Sequence, residues 1–158
     1  MSRAFVKEDA EAPPPAPLER PVSSAPNRVT PRGARLIDSE IARLEAEIAG
    51  APDEAAAEPL HRDLRYWTTR RASAQLTMPE PRPQAAGFGT RVSIRRSDRV
   101  STLLIVGEDE ADPDAGRIAW TSPLARALDG AEPGETVELS AGGRTLPVEL
   151  LAVGPGED

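Results

Sequence analysis

"IVGEDEADPDAGRIAWTSPLARALDG", residues 105–130, is the stretch on which the fold turns. Its apolar opening runs into a block of acids, the chain re-emerges as a short strand at "GRIAW" (116–120), and Ser122-Pro123 breaks at once into a helix. Ser122 can cap the first free backbone N–H groups, and Pro123 fits the first helical position. Leu124 and Leu128 lie one turn apart, and Gly130 can take the left-handed stop. So short an amphipathic helix must pack its leucines on a sheet. The neighbouring sequence supplies one. "TRVSIRR" (90–96) alternates Val92 and Ile94 with polar residues, and "VSTLLIVG" (100–107) reads as a buried strand. "ETVELS" (135–140) and "RTLPVELLAV" (144–153) close a hairpin around Ala141-Gly142-Gly143, where Pro147 is tolerated only at an edge or a bulge. Five strands and one short helix predict a compact α+β domain over residues 89–153.

Upstream the period changes from two to about 3.6. Thr30 is placed to cap a helix with Pro31 at its first position, and Ile37, Ile41, Leu44 and Ile48 form a narrow 4-3-4 seam. Gly50, Ala51 and Pro52 end that helix; a second is predicted from Pro59, with Leu60, Leu64 and Trp67 as its apolar positions. The two seams predict an antiparallel helical hairpin, a short coiled coil, over residues 30–77. Arms at 31–49 and 59–77 reach about 28 Å at 1.5 Å per residue. The expected tip, residues 50–58, carries Asp53, Glu54 and Glu58 with no base among them. Residues 1–29 hold six prolines (Pro13, Pro14, Pro15, Pro17, Pro21 and Pro26) and few large apolar groups, so a disordered or extended leader is expected. Residues 78–88 read as a Pro- and Gly-rich linker and 154–158 as a tail.

Composition narrows the chemistry. Of 158 residues 17 are proline and five aromatic, enough for one modest core and an extended element. Nineteen basic residues against 26 acidic ones leave a net charge of −7, which disfavours general attachment to nucleic acid or to an anionic membrane and favours a protein partner. Without cysteine there is no disulfide framework and no thiolate metal site, which suits the cytosol. No apolar run approaches the roughly 18 residues of a membrane span. A cytoplasmic monomer is expected. No catalytic residue stands out: His61, the one histidine, sits near the start of a surface helix, and no Ser-His-Asp set or phosphate loop accompanies it. The acids of "GEDEAD" lack the glycine and terminal glutamate of a calcium loop, so a solvated acidic loop is expected there.

The run "IVGEDEADPDAGRIAWTSPLARALDGAEPGETVEL" (105–139) resembles the C-terminal domain of the bacterial Gre transcript-cleavage factors, the GreA/GreB-like family. The resemblance covers about residues 89–153, and the Ser-Pro-x-Ala-Arg-Ala core is its most specific part. It implies a fold like that of the FK506-binding proteins, without isomerase activity, joined to a coiled coil. It also implies RNA polymerase as the partner, met at the rim of its secondary channel, with contact to RNA at most indirect. The docking corner then maps to Ser122, Pro123, Leu124 and Arg126. In cleaving members, acids at the coiled-coil tip help hold a second Mg²⁺ in the polymerase active site. The corresponding metal candidates here are Asp53, Glu54 and Glu58, sharing Mg²⁺ with the polymerase and binding no cofactor of their own. Hard carboxylate oxygens suit such an ion. Two departures set this chain apart. Its acids are adjacent and then four apart, where the family's tip reads acid-x-x-acid-Asn, and its arms are several turns shorter. Since two-metal chemistry needs ions roughly 3.5 to 4 Å apart, a tip that stops short contributes nothing to it. The expectation is a Gre-like elongation regulator that is not itself an enzyme. The alternatives are a true cleavage factor and an interaction module with no tie to polymerase.

Overall fold

The computed structural model describes residues 15–157. Two helices form the first unit: α1 (Pro31–Ala49) and α2 (Glu54–Ser73), antiparallel and about 28 to 30 Å long. Thr30 caps α1 by accepting from the Gly33 N–H, and Gly50 closes it. The seam is apolar as the spacing requires. Ile37, Ile41, Leu44 and Trp67 are buried with Val29, and Leu60 and Leu64 pack at the margin.

The second helix starts five residues earlier than its expected start at Pro59. Asp53, whose side chain accepts from the Ala56 N–H at 2.8 Å, is its cap, and the alanines that follow are strong helix formers. Pro59 therefore lies inside α2. The tip shrinks to residues 50–53, and Glu58 belongs to the helix.

At the base, β1 (Arg28–Val29) and β2 (Gln75–Leu76) form a two-residue parallel pair that the sequence pattern does not announce. It rests on Gln75 N–H donating to Asn27 O and Thr77 N–H to Val29 O. Asn27, buried, adds side-chain bonds to Arg70 O (2.7 Å) and Ser73 Oγ (3.2 Å). Over residues 15–29 the chain is extended, Glu19 grips Arg65 through two bonds, Arg20 lies 3.8 Å over the Tyr66 ring, and Ser23 Oγ donates to Glu108. Charged and cation–π contacts supply what apolar burial cannot. Residues 1–14, including Pro13 and Pro14, lie outside the described residues, as does Asp158 of the expected tail.

The second unit is a five-stranded mixed sheet, ordered β5-β4-β3-β7-β6. Its strands are β3 (Thr90–Arg96), β4 (Arg99–Val106), β5 (Arg117–Ala119), β6 (Thr136–Ala141) and β7 (Arg144–Pro155). All neighbours are antiparallel except β4 and β5. Helix α3 (Pro123–Leu128) lays Ala125 and Leu128 on a core of Val92, Ile94, Ile105 and Leu150. Pro147 pairs only with β6, because β3 meets β7 from Glu149 onward, so its missing N–H faces no neighbour strand. A register shift opposite Ser93/Ile94 lets Leu150 keep its place in the core. The expected linker is drawn into this unit at its end: buried Ala86 exchanges backbone bonds with Gly130 and Ala131. The molecule is therefore α+β, a helical hairpin followed by a β-rich domain with one short helix.

Candidate functional site: the Ser-Pro corner and the junction of the two units

The Ser122-Pro123 corner follows directly from β5. Ser122 Oγ accepts from Ala125 N–H at 3.3 Å, Pro123 stands exposed at the first position of α3, and Leu124 turns partly into the core. Arg126, one turn on, is exposed. Ser122, Pro123, Leu124 and Arg126 are thus brought together on one end of one helix, with a rigid sheet behind them.

The tip acids fare differently. Asp53 spends a carboxylate oxygen on the cap of α2, and Glu58 lies 3.5 Å from Arg65 on the helix surface. Glu54 occupies the first turn, where the dipole favours a carboxylate. Among the described residues no group of three Asp, Glu or His is disposed to hold a metal ion. Asp53, Glu54 and Glu58 therefore do not fit Mg²⁺ as a ligand set of this chain alone. His61 is half-buried on α2 and belongs to no such group.

The acidic loop after β4 departs in its first half from the solvated loop expected there. Asp112 and Asp114 are exposed, but Glu108, Asp109 and Glu110, on a 3-10 turn (Glu108–Glu110), form the junction between the two units. Arg70 of α2, its side chain 2% exposed, places Nε 2.5 Å from Asp109 and Nη2 3.6 Å from Glu108. Tyr66 donates its hydroxyl to the same Asp109. From α1, Thr30 Oγ1 donates to Glu110 at 2.5 Å and Arg32 pairs with it at 3.1 Å. Glu110, 5% exposed, thereby sits against the N-terminus of α1, where the helix dipole favours a negative charge. Burial and the bond to Asp109 push the Tyr66 phenol up to about 12, since both penalise its anion.

Two glycines make the approach possible. A Cβ on Gly33 would stand 2.8 Å from Glu110 Oε2, and one on Gly107 2.5 Å from the carbonyl oxygen of Arg28. The acids were expected in a solvated loop, and Arg32 and Arg70 carried no expectation. The signal that could have joined them is Arg70, a base in the seam register three residues after Trp67, where an apolar residue belongs.

Residues 81–155 match the family model described as the C-terminal domain of transcription elongation factor GreA/GreB. Over 68 residues the chain is 48% identical to transcription elongation factor GreA of Acidiphilium cryptum (strain JF-5) and 47% identical to that of Agrobacterium fabrum (strain C58). Each match covers 42% of this chain, and it spans only 43% of the length of either relative. Among solved structures, a GreA/GreB elongation factor from Nitrosomonas europaea aligns over 82% of this chain and 98% of its own at 22% identity, with a TM-score of 0.40. The mixed-sheet unit with its Ser-Pro corner is accordingly a C-terminal domain of the GreA/GreB type. Over that domain the chain is similar to the Gre transcription elongation factors. The two helices lie outside the matched stretch, and no helix among the described residues is long and apolar enough to cross a membrane.

Proposed function

We propose that this chain is a Gre-type regulator that binds RNA polymerase through residues 89–153 and holds its helical hairpin at the secondary channel without completing a cleavage site. The observation that carries the reading is the 48% identity over the C-terminal domain, which contains the Ser122-Pro123-Leu124-Arg126 corner. A rigid sheet behind that corner supplies the preorganisation that docking needs, because little has to be ordered on contact.

The hairpin then acts through its position. The buried pair of Arg70 with Asp109 and the part-buried pair of Arg32 with Glu110 tie both helices to the docking domain, so a domain seated on polymerase aims the hairpin along one line. Arms of about 30 Å occupy space in a channel. The tip carries no ligand set of its own, and Asp53 is engaged in capping α2, so no chemical step is assigned to the tip acids. The protein serves as an accessory to the polymerase and not as an enzyme. Its place is cytoplasmic, where the polymerase works, and it acts as a monomer.

Purified core polymerase and the intact chain, mixed at low salt and resolved by size-exclusion chromatography, test the reading. Co-elution that is lost with Pro123→Ala combined with Arg126→Glu, while circular dichroism is unchanged, is the expected result. Failure of the wild-type chain to co-elute would leave the interaction-module alternative standing.

A further inference from the structure

Between β1 and α3 lies a cavity of about 130 Å³ with Ile105 at its base, the rings of Phe88 and Trp120 among its walls, and Arg28, Arg126 and Asp129 among its polar lining. The Arg28 guanidinium lies 4.4 Å from the Phe88 centroid and 5.5 Å from that of Trp120. Among the described residues no carboxylate is paired with Arg28 or Arg126, although Asp129 belongs to the same lining. The indole N–H of Trp120 is buried without an acceptor among the described residues. The lining is therefore rich in donors and poor in acceptors, over an apolar base. A guanidinium offers a fixed fork of donors that matches a carboxylate, and buried donors without partners are uncommon in folded proteins.

We infer that this cavity is an anchor pocket for a carboxylate-bearing side chain of the polymerase, whose aliphatic stem lies on Phe88 and Ile105 while its oxygens meet Arg28 and Arg126. The inference rests on the polymerase reading above and adds to it the chemistry of the partner group. Arg126 links the two: it belongs both to the Ser-Pro corner and to the pocket, so a partner on the corner covers the pocket mouth. Arg28 comes from β1, so the anchor also touches the hairpin unit, and one contact reads both units at once. The net charge of −7 makes such a site a local exception on a chain that otherwise repels acids.

Affinity for core polymerase is measured by biolayer interferometry at two salt concentrations for the wild type, Arg28→Gln, Arg126→Gln and Asp129→Asn. Each arginine variant is expected to weaken binding about tenfold or more and to reduce its salt dependence. Asp129→Asn removes the one acid that opposes an incoming carboxylate, and is expected to tighten binding about twofold. That opposite sign separates a carboxylate pocket from a merely structural one, and thermal unfolding of each variant separates lost binding from lost fold. Wild-type binding with both arginine variants within about twofold of it, or weakening by Asp129→Asn, overturns the pocket while leaving the polymerase reading intact. Absence of wild-type binding overturns the polymerase reading and the pocket with it.

Discussion

The guanidinium of Arg70, buried on the inner face of α2, lies 2.5 Å from the carboxylate of Asp109 on the 3-10 turn after β4, and so joins the helical hairpin to the β-rich domain. A buried ion pair contributes little net stability, since desolvation offsets much of the attraction, but removing one partner strands the other. Arg70→Ala leaves Asp109 buried and Glu108 half-buried without their arginine and is expected to cost about 3 to 5 kcal/mol in denaturant unfolding. Arg70→Met paired with Asp109→Leu should cost much less. A double variant as unstable as the single one would mean that the pair is not what Arg70→Ala disrupts.

Tyr66, the single tyrosine of the sequence, reports on the same junction. Its phenol is raised from 10.0 to about 12, first by burial and then by its bond to Asp109. The raised folded value means that the neutral form is favoured in the native state. The associated stability is complete below pH 10, falls as pH rises, and is gone above pH 12. Ultraviolet titration of native protein should show one phenol ionising near pH 12, and Asp109→Asn should lower that midpoint only in part because burial is the larger cause. An ordinary midpoint near 10 in the folded wild type would place Tyr66 outside the junction.

Trp67 packs with Val29, Ile37, Ile41 and Leu44 in the hairpin seam. Trp67→Ala should destabilise the protein by about 3 to 5 kcal/mol, because no neighbour can close so large a cavity. Unchanged thermal stability would show that the indole contributes no seam packing.

Gly107 meets backbone, which cannot step aside as a flexible side chain can. Its added Cβ would fall 2.5 Å from Arg28 O, so Gly107→Ala must push β1 off the domain. A loss of about 1 to 3 kcal/mol is expected. Gly130→Ala meets no crowding, although Gly130 has φ +79, so its penalty comes from backbone strain and should leave the junction intact. Hydrogen exchange at the β1–β2 amides distinguishes the two, with faster exchange only for Gly107→Ala.

What the sequence disclosed is what periodicity and capping encode. The five strands, the Pro123–Leu128 helix and the seam of Ile37, Ile41 and Leu44 are local patterns, each readable from a window of a dozen residues. The start of α2 was obscured because Pro59 looks like a helix opening, while Asp53, the residue that does cap, is one acid among several. The junction was hidden for another reason. Thr30 and Glu110 are separated by 80 residues and Arg70 and Asp109 by 39, so each looks like an ordinary solvated group until the fold brings them together. The Ser122 corner was legible through its cap and its family resemblance alike. The pocket was not, since Arg28, Phe88 and Arg126 come from three distant parts of the chain.

The most direct test of the central claim is RNA 3′-end cleavage in purified, backtracked elongation complexes with Mg²⁺, with binding of the protein to the same complexes recorded in parallel. The account predicts a bound protein that does not stimulate cleavage, whether or not Asp53, Glu54 and Glu58 are replaced by alanine. Stimulated cleavage that disappears in the triple variant would contradict it and make the tip acids part of a working metal site.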